Sequence, residues 1–290
     1  MATETGFRGW PVRDGLRSLV VGSRPRFWLY LAGPVLVGVA YGAETQAELL
    51  SLATLVLFAY FLVPANVFLY GINDVFDREA DAENPKKTTG PEARWGGGRL
   101  LPAAVVGSAL AILPVAAVVP PAAWPWLAAF LVLGAAYSAP PVRFKTTPLF
   151  DSVSNGLYVT PGVAAYVAVA GSHPPVVAVA AGWAWAMGMH TFSAIPDIGP
   201  DRAAGIETTA TALGETRAYG YCGACWLAAA AGFFWLDVRL GVLLSVYPVL
   251  VTTIVLSEVD VGRAYWWFPA INTVVGAVLT AGGLWVVVYG

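Results

Sequence analysis

Long apolar stretches separated by short polar connections run the length of this chain. Stretches long enough to cross a hydrocarbon layer of about 30 Å as helices fall at residues 27–43, 48–72, 100–119, 122–138, 152–170, 175–196, 218–236, 238–257 and 264–289. Only Pro120 and Pro121 part the third from the fourth, so that boundary is soft. Pro34, Pro64, Pro114, Pro161 and Pro248 lie inside stretches, where neighbouring helices can re-satisfy the backbone groups freed by a kink. The pattern predicts an all-α integral membrane protein of about nine transmembrane helices, bundled around a central cavity as one domain over residues 1–290.

Composition agrees, and charge adds orientation. Of the 290 residues, 58% are hydrophobic and 12% charged, against about 25% charged in a soluble domain. An ordinary cytosolic fold is excluded, and no nucleic-acid partner is expected. Arg8, Arg13, Arg17, Arg24 and Arg26 precede the first stretch, and Arg78, Lys86, Lys87, Arg94 and Arg99 lie between the second and third. Arg143 and Lys145 follow the fourth, Arg202 and Arg217 the sixth, and Arg263 the eighth. With the N-terminus in the cytoplasm, 15 of the 16 Lys and Arg fall on the cytoplasmic side; the exception is Arg239. Cationic loops stay on that side, so the expected protein is multi-pass in the cell membrane, with its N-terminus inside and C-terminus outside. Cys222 and Cys225 form a Cys-x-x-Cys at the start of an apolar stretch. With no further metal ligands nearby, they read as two small packing residues.

Two acidic clusters end apolar stretches on the cytoplasmic side. The first is Asn73-Asp74-x-x-Asp77-x-x-x-Asp81 and the second Asp197-x-x-x-Asp201. On a helix, Asn73, Asp77 and Asp81 advance by about 40° per step, with Asp74 in the same arc. Three carboxylates on one face repel one another unless a cation binds, and Mg²⁺ commonly arrives holding a phosphate substrate. Gly199-Pro200 interrupts the second cluster, so that helix either breaks after Pro196 and restarts near Pro200 or ends irregularly. Between the clusters lies Tyr137-Ser138-Ala139-Pro140-Pro141-Val142-Arg143-Phe144-Lys145, whose hydroxyls and cations suit a diphosphate. The plain alternative for these cations is a positive-inside anchor.

These three motifs in this order, Asn73 to Asp81, Tyr137 to Lys145 and Asp197/Asp201, resemble the UbiA superfamily of intramembrane prenyltransferases over nearly the whole chain. Ser23 to Trp28 and Ile195 to Ala210 are most similar to its carotenoid branch, the lycopene elongases. The resemblance implies a Mg²⁺-dependent transfer of an allylic prenyl group, from dimethylallyl diphosphate (DMAPP), to a lycopene-like carotenoid. It implies that Asn73, Asp77 and Asp81 hold one ion with Asp74 assisting, and that Asp197 and Asp201 hold the other. Lys87, Arg143 and Lys145 would then neutralise the leaving diphosphate, and Tyr137 and Ser138 would contact the diphosphate or the nascent cation. Quinone-precursor and chlorophyllide prenyltransferases are the alternatives within the superfamily.

The remaining polar residues read more quietly. Asn66, two turns before Asn73, is expected to point into the substrate cavity. Asp151 reads as the N-cap of its own helix, and His190 as a packing histidine on the Asp197 face. Asn155 and Asn272 are buried polar candidates without a role. Phe68, Tyr70 and Tyr158 offer ring faces to a cation, though packing is their simpler explanation. Trp124, Trp126, Trp266 and Trp267 read as interfacial belt residues next to membrane lipid. A secondary transporter would also bury acids in broken helices, but near the bilayer midplane. Here the acids sit at helix ends beside cationic loops.

Overall fold

The computed structural model describes residues 12–77 and 98–289, and every regular element among them is helical. All nine apolar stretches form helices. Their cores are Trp28–Gly42, Leu52–Leu62 with Pro64–Phe76, Leu100–Leu110 with Ile112–Val118, Trp124–Ser138, Thr160–Ala170, Val176–Ala194, Glu215–Leu236, Val238–Leu244 with Val246–Leu256, and Val261–Tyr289. Among the described residues, seven helices are long and apolar enough to cross a membrane. Trp28–Gly42, at 15 residues, and Val176–Ala194, which carries His190, Thr191 and Ser193, are not among them. A further helix, Val12–Gly22, precedes the first stretch; hydropathy alone does not announce it.

Pro64 shows how the sequence sets a break. Proline has no N–H to donate and its ring crowds the preceding turn, so one helix stops at Leu62 and the next starts at Pro64. The carbonyls freed there are met by the Asn66 amide nitrogen, which donates to the oxygens of Phe61 and Leu62 at 3.0 Å each. Asn66 is fully buried, and its amide nitrogen repairs the backbone of the kink, a role the spacing does not announce.

The helices form two apolar cores. One, built by the first five stretches, centres on Leu31, Val35, Phe61, Phe130 and Val163. The other, built by the last four, centres on Phe192, Trp226, Tyr247 and Phe268, with the Phe192 and Phe268 rings 4.6 Å apart. Phe68 belongs to the first core, tilted on Phe130 at 5.9 Å, and packing accounts for it. The last helix packs along Trp28–Gly42, so the ends of the chain meet. Arg26 fastens that seam by lying 3.5 Å over the Trp266 ring and donating to the Trp266 carbonyl oxygen. Trp124, Trp266 and Trp267 are exposed on the outside of the bundle.

Trp28–Gly42 and Thr160–Ala170 cross backbone to backbone. A Cβ on Gly38 would run into the Gly162 carbonyl oxygen, and one on Gly162 would lie 2.8 Å from the Pro34 oxygen. Small residues permit such approaches inside membranes. Gly38→Val is therefore expected to destabilise the folded protein by about 1–3 kcal/mol, read as a lowered midpoint of thermal unfolding in detergent. An unchanged midpoint would show that the crossing yields easily.

Candidate active site

The helix Pro64–Phe76 ends with Asp77 as its C-cap, whose N–H donates to the Asn73 oxygen. Residues four apart lie on one side of a helix, so Asn73 and Asp77 face the same way. The segment after Trp124–Ser138 comes to meet them. Ser138 Oγ donates to Asn73 Oδ1 at 3.2 Å, and Lys145 Nζ donates to the same oxygen at 3.1 Å. Arg143 Nη2 donates to Asp77 Oδ1 at 2.9 Å, and Lys145 pairs with that oxygen as well. Asn73, Asp77, Ser138, Arg143 and Lys145 thus form one cluster. Asp81 and Lys87, the other residues expected here, lie outside the described residues.

The backbone works to make this arrangement. Arg143 has φ 44° and ψ 59°, a left-handed conformation unusual for a residue with a Cβ and concentrated at functional sites. The turn lets Arg143 and Lys145 reach the same carboxylate from a single short connection. It is braced by Thr146 Oγ1, which donates to the Arg143 oxygen at 3.1 Å, and by the stacked rings of Phe144 and Phe150, 5.4 Å apart. Arg143 Nε is buried with no hydrogen-bond partner. Leaving such a donor unmade is costly, and a phosphate oxygen would satisfy it.

Arg24 makes a second cation–acid contact; the sequence places it among the orienting cations and in the Ser23–Trp28 resemblance but gives it no partner. It too is left-handed, at φ 54° and ψ 71°. Its Nη2 lies 3.3 Å from Asp74 Oδ1, and its guanidinium is 4.7 Å from the centre of the Tyr70 ring. Ser23 fixes this turn, with Oγ donating to the Val20 oxygen at 2.7 Å and accepting from Trp28 Nε1 at 3.0 Å. The pairing of one of five N-terminal arginines with one acid 50 residues away has no local signature.

The second cluster is a broken helix end. Val176–Ala194 passes into a 3₁₀ turn at Ile195–Asp197 and then a short helix at Ile198–Ala203. The break thus precedes Pro196 instead of following it. Pro196 and Pro200 each fall in a first turn, where a missing N–H is not needed. Asp197 is the N-cap of the last piece and Asp201 lies in its first turn, so the two do not sit on the face of the long helix. Arg202 Nη2 donates to the Thr211 oxygen at 2.7 Å and ties this end to Thr209–Leu213.

The donors on hand suit Mg²⁺. Asn73, Asp77, Asp197 and Asp201 offer hard oxygens only, the chemistry that ion prefers. No group of three or more His, Cys, Asp or Glu among the described residues closes around a metal. Magnesium needs no such cage, because it keeps waters and shares phosphate oxygens.

Tyr137 connects this cluster to a second buried polar group. Its ring stands edge-on to His190 at 5.8 Å and 89°, and the next residue, Ser138, bonds Asn73. Asp151 is 1% exposed. It does not cap its own helix, where Leu149 holds that place. Its carboxylate accepts from the Thr209 N–H at 2.9 Å and from Thr209 Oγ1, and so serves the start of Thr209–Leu213. A cap that comes from 58 residues away cannot be read from spacing. The other buried amides are also engaged internally. Asn155 Nδ2 donates to the Asp151 oxygen at 2.6 Å. Asn272 accepts from the Tyr247 hydroxyl at 2.8 Å and donates to that of Tyr30 at 3.0 Å. Cys222 and Cys225 are free thiols buried in the second core.

Residues 31–270 match the model of the UbiA prenyltransferase family. The chain belongs to that family. Both acidic ends and the connection between them fall within the matched span. The lycopene elongase/hydratase of Halobacterium salinarum is 64% identical over 274 residues, covering 94% of this chain and 99% of the other. That of Haloferax volcanii is 63% identical over 277 residues, covering 96% and 92%. Among solved structures, a UbiA homolog from Archaeoglobus fulgidus bound to DMAPP and Mg²⁺ superposes with a TM-score of 0.76 at 20% identity, covering 94% of this chain and 100% of that one. At that identity the superposition establishes the UbiA fold.

Proposed function

We propose that this UbiA-family chain transfers the prenyl group of an allylic diphosphate, DMAPP, to the polyene end of lycopene or a related carotenoid, with Mg²⁺ as cofactor. The observation that carries this reading is the convergence of Asn73 and Asp77 with Arg143 and Lys145, two hard oxygen donors and two cations around one point. It is the set a prenyl diphosphate and its counter-ion need. The carotenoid acceptor is supported by the two haloarchaeal relatives, whose names give lycopene as the substrate. It is supported further by the internal engagement of Asn66, Asn155 and Asn272, which leaves few polar partners for an acceptor with ionisable groups.

Asn73, Asp77, Asp74 and Asp81 would hold one Mg²⁺, and Asp197 and Asp201 the other. When bound, these ions neutralise the charge that develops on the leaving diphosphate. Arg143 and Lys145 would grip the diphosphate oxygens, with Arg143 Nε as an additional donor. Lys87, outside the described residues, would neutralise the same group in this reading. Tyr137 and Ser138 would contact the diphosphate or the nascent cation, and the Tyr137, Tyr70 and Tyr158 rings would steady that cation. The helices around it exclude water, which would otherwise quench that cation as an alcohol.

In this reading residues 1–290 act as one domain with nine spans in contact with membrane lipid. The N-terminus is cytoplasmic, and the active site opens to the cytoplasmic side of the cell membrane. The name elongase/hydratase also describes what can follow. The carotenoid cation left after carbon–carbon bond formation either loses a proton or captures water. Expression in a lycopene-accumulating host that supplies DMAPP tests the assignment. Carotenoids lengthened by five or ten carbons are expected. Unchanged lycopene, with prenylation of a quinone precursor or chlorophyllide by the same preparation, would reject the acceptor and keep the prenyltransferase.

A further inference from the structure

We propose that His190, backed by Asp151, is the base that ends the reaction, taking the proton from the water that captures the carotenoid cation. This rests on the carotenoid prenyl-transfer reading above. His190 Nε2 lies 3.5 Å from Asp151 Oδ2. That carboxylate is held in place by the Thr209 N–H and hydroxyl, and Thr209 Oγ1 in turn accepts from the Leu149 N–H at 2.7 Å. A buried carboxylate facing one imidazole nitrogen keeps a proton on that nitrogen and leaves the other as the acceptor. Among the described residues, Nδ1 of His190 has no hydrogen-bond partner, and 14% of the side chain stays open. A packing histidine in an apolar span would be expected to bond through both nitrogens.

Placement fits the chemistry. The first cation forms beside Asp77 and its partners. His190 meets the ring of Tyr137 edge-on at 5.8 Å, and Ser138, the next residue after Tyr137, bonds Asn73, so the histidine adjoins that cluster without belonging to it. In this proposal the second cation, on the acceptor, forms on the histidine side. Departure of the diphosphate takes both electrons of the carbon–oxygen bond. The allylic cation then draws the π pair of the terminal double bond into a new carbon–carbon bond, leaving a tertiary cation on the adjacent carbon. A water lone pair closes on that carbon, and the oxonium proton passes to His190 Nδ1, where Asp151 stabilises the imidazolium. The proton then returns to solvent. Next to the pair in sequence, Thr191 and Ser152 are bonded to each other at 3.1 Å and Ser152 to Tyr221 at 3.0 Å, while Asn155 and Ser154 donate to the Asp151 carbonyl oxygen and Tyr137 packs on the His190 ring.

The test uses the full-length protein with lycopene, DMAPP and Mg²⁺, measuring diphosphate release and, by mass, the hydroxylated and unsaturated elongated products. In His190→Gln the hydroxylated product per diphosphate released is expected to fall by about tenfold or more. Asp151→Asn, which keeps an oxygen for the Thr209 N–H, is expected to shift the ratio the same way by less. An unchanged product ratio in both variants, whether or not total turnover falls, would overturn the proposal and leave His190 a packing residue. A wild-type protein that forms no lengthened carotenoid would instead defeat the reading on which the proposal rests.

Discussion

Asp77→Ala is expected to lower prenyl transfer by at least about 10³-fold while the protein still folds into the membrane. Asp77 stands where the two demands on the site meet. Its Oδ1 accepts from Arg143 at 2.9 Å and pairs with Lys145, and it is one of the few hard oxygens available to an ion. Removing it weakens ion binding and leaves both cations without their fixed partner. Loss of a single preorganised electrostatic contact typically costs 10²–10³ in rate, and 10³-fold is about 4 kcal/mol of transition-state stabilisation. The side chain is at the end of a helix and partly open, so the fold loses little by comparison. Asp201→Ala is expected to act alike through the second helix end. Steady-state kinetics at saturating Mg²⁺ checks both. Near wild-type turnover in either variant would remove that cluster from the chemistry.

Lys145→Ala is expected to reduce kcat/KM for the donor by about 10²-fold and to leave topology unchanged. Lys145 is 11% exposed and is bonded to Asn73 and paired with Asp77. A loop anchor would turn its charge to water. A point charge on a flexible stem can move from a carboxylate to a phosphate oxygen as the substrate arrives, which suits Lys better than the planar fork of Arg. The loss should therefore appear in donor binding or ionisation and spare the acceptor. Intact kinetics with inverted or scrambled helices, read by cysteine accessibility from either side, would establish the anchor role instead.

Much of this could be read from the chain because lipid imposes a simple rule. Backbone groups must be satisfied within each segment, so every long apolar stretch became a helix, and Pro64 and Pro196 marked real breaks. The motif from Tyr137 to Lys145 was visible as chemistry because its hydroxyls and cations are close in sequence. The long-range partners were not legible. Arg24 meets Asp74 across 50 residues and Thr209 meets Asp151 across 58, and nothing at either end names the other. The bonds of the Asn66 amide were not legible for a related reason. Helical spacing put it near the face of Asn73, but the carbonyls freed by Pro64 sit closer and bind its amide first. The Ile195–Ala203 end likewise took its form from the two prolines, which the regular period of a helix cannot anticipate.

The central claim is that one chain ionises a prenyl diphosphate and joins the resulting cation to a carotenoid. The most direct measurement incubates the purified, lipid-reconstituted protein with DMAPP labelled in its prenyl carbons, lycopene and Mg²⁺, and follows the label. The account predicts label in carotenoids five and ten carbons longer than lycopene, one diphosphate released per unit added, loss of both on chelation and recovery on returning Mg²⁺. Label that never enters a carotenoid, or that crosses the membrane as intact DMAPP without diphosphate release, would contradict it.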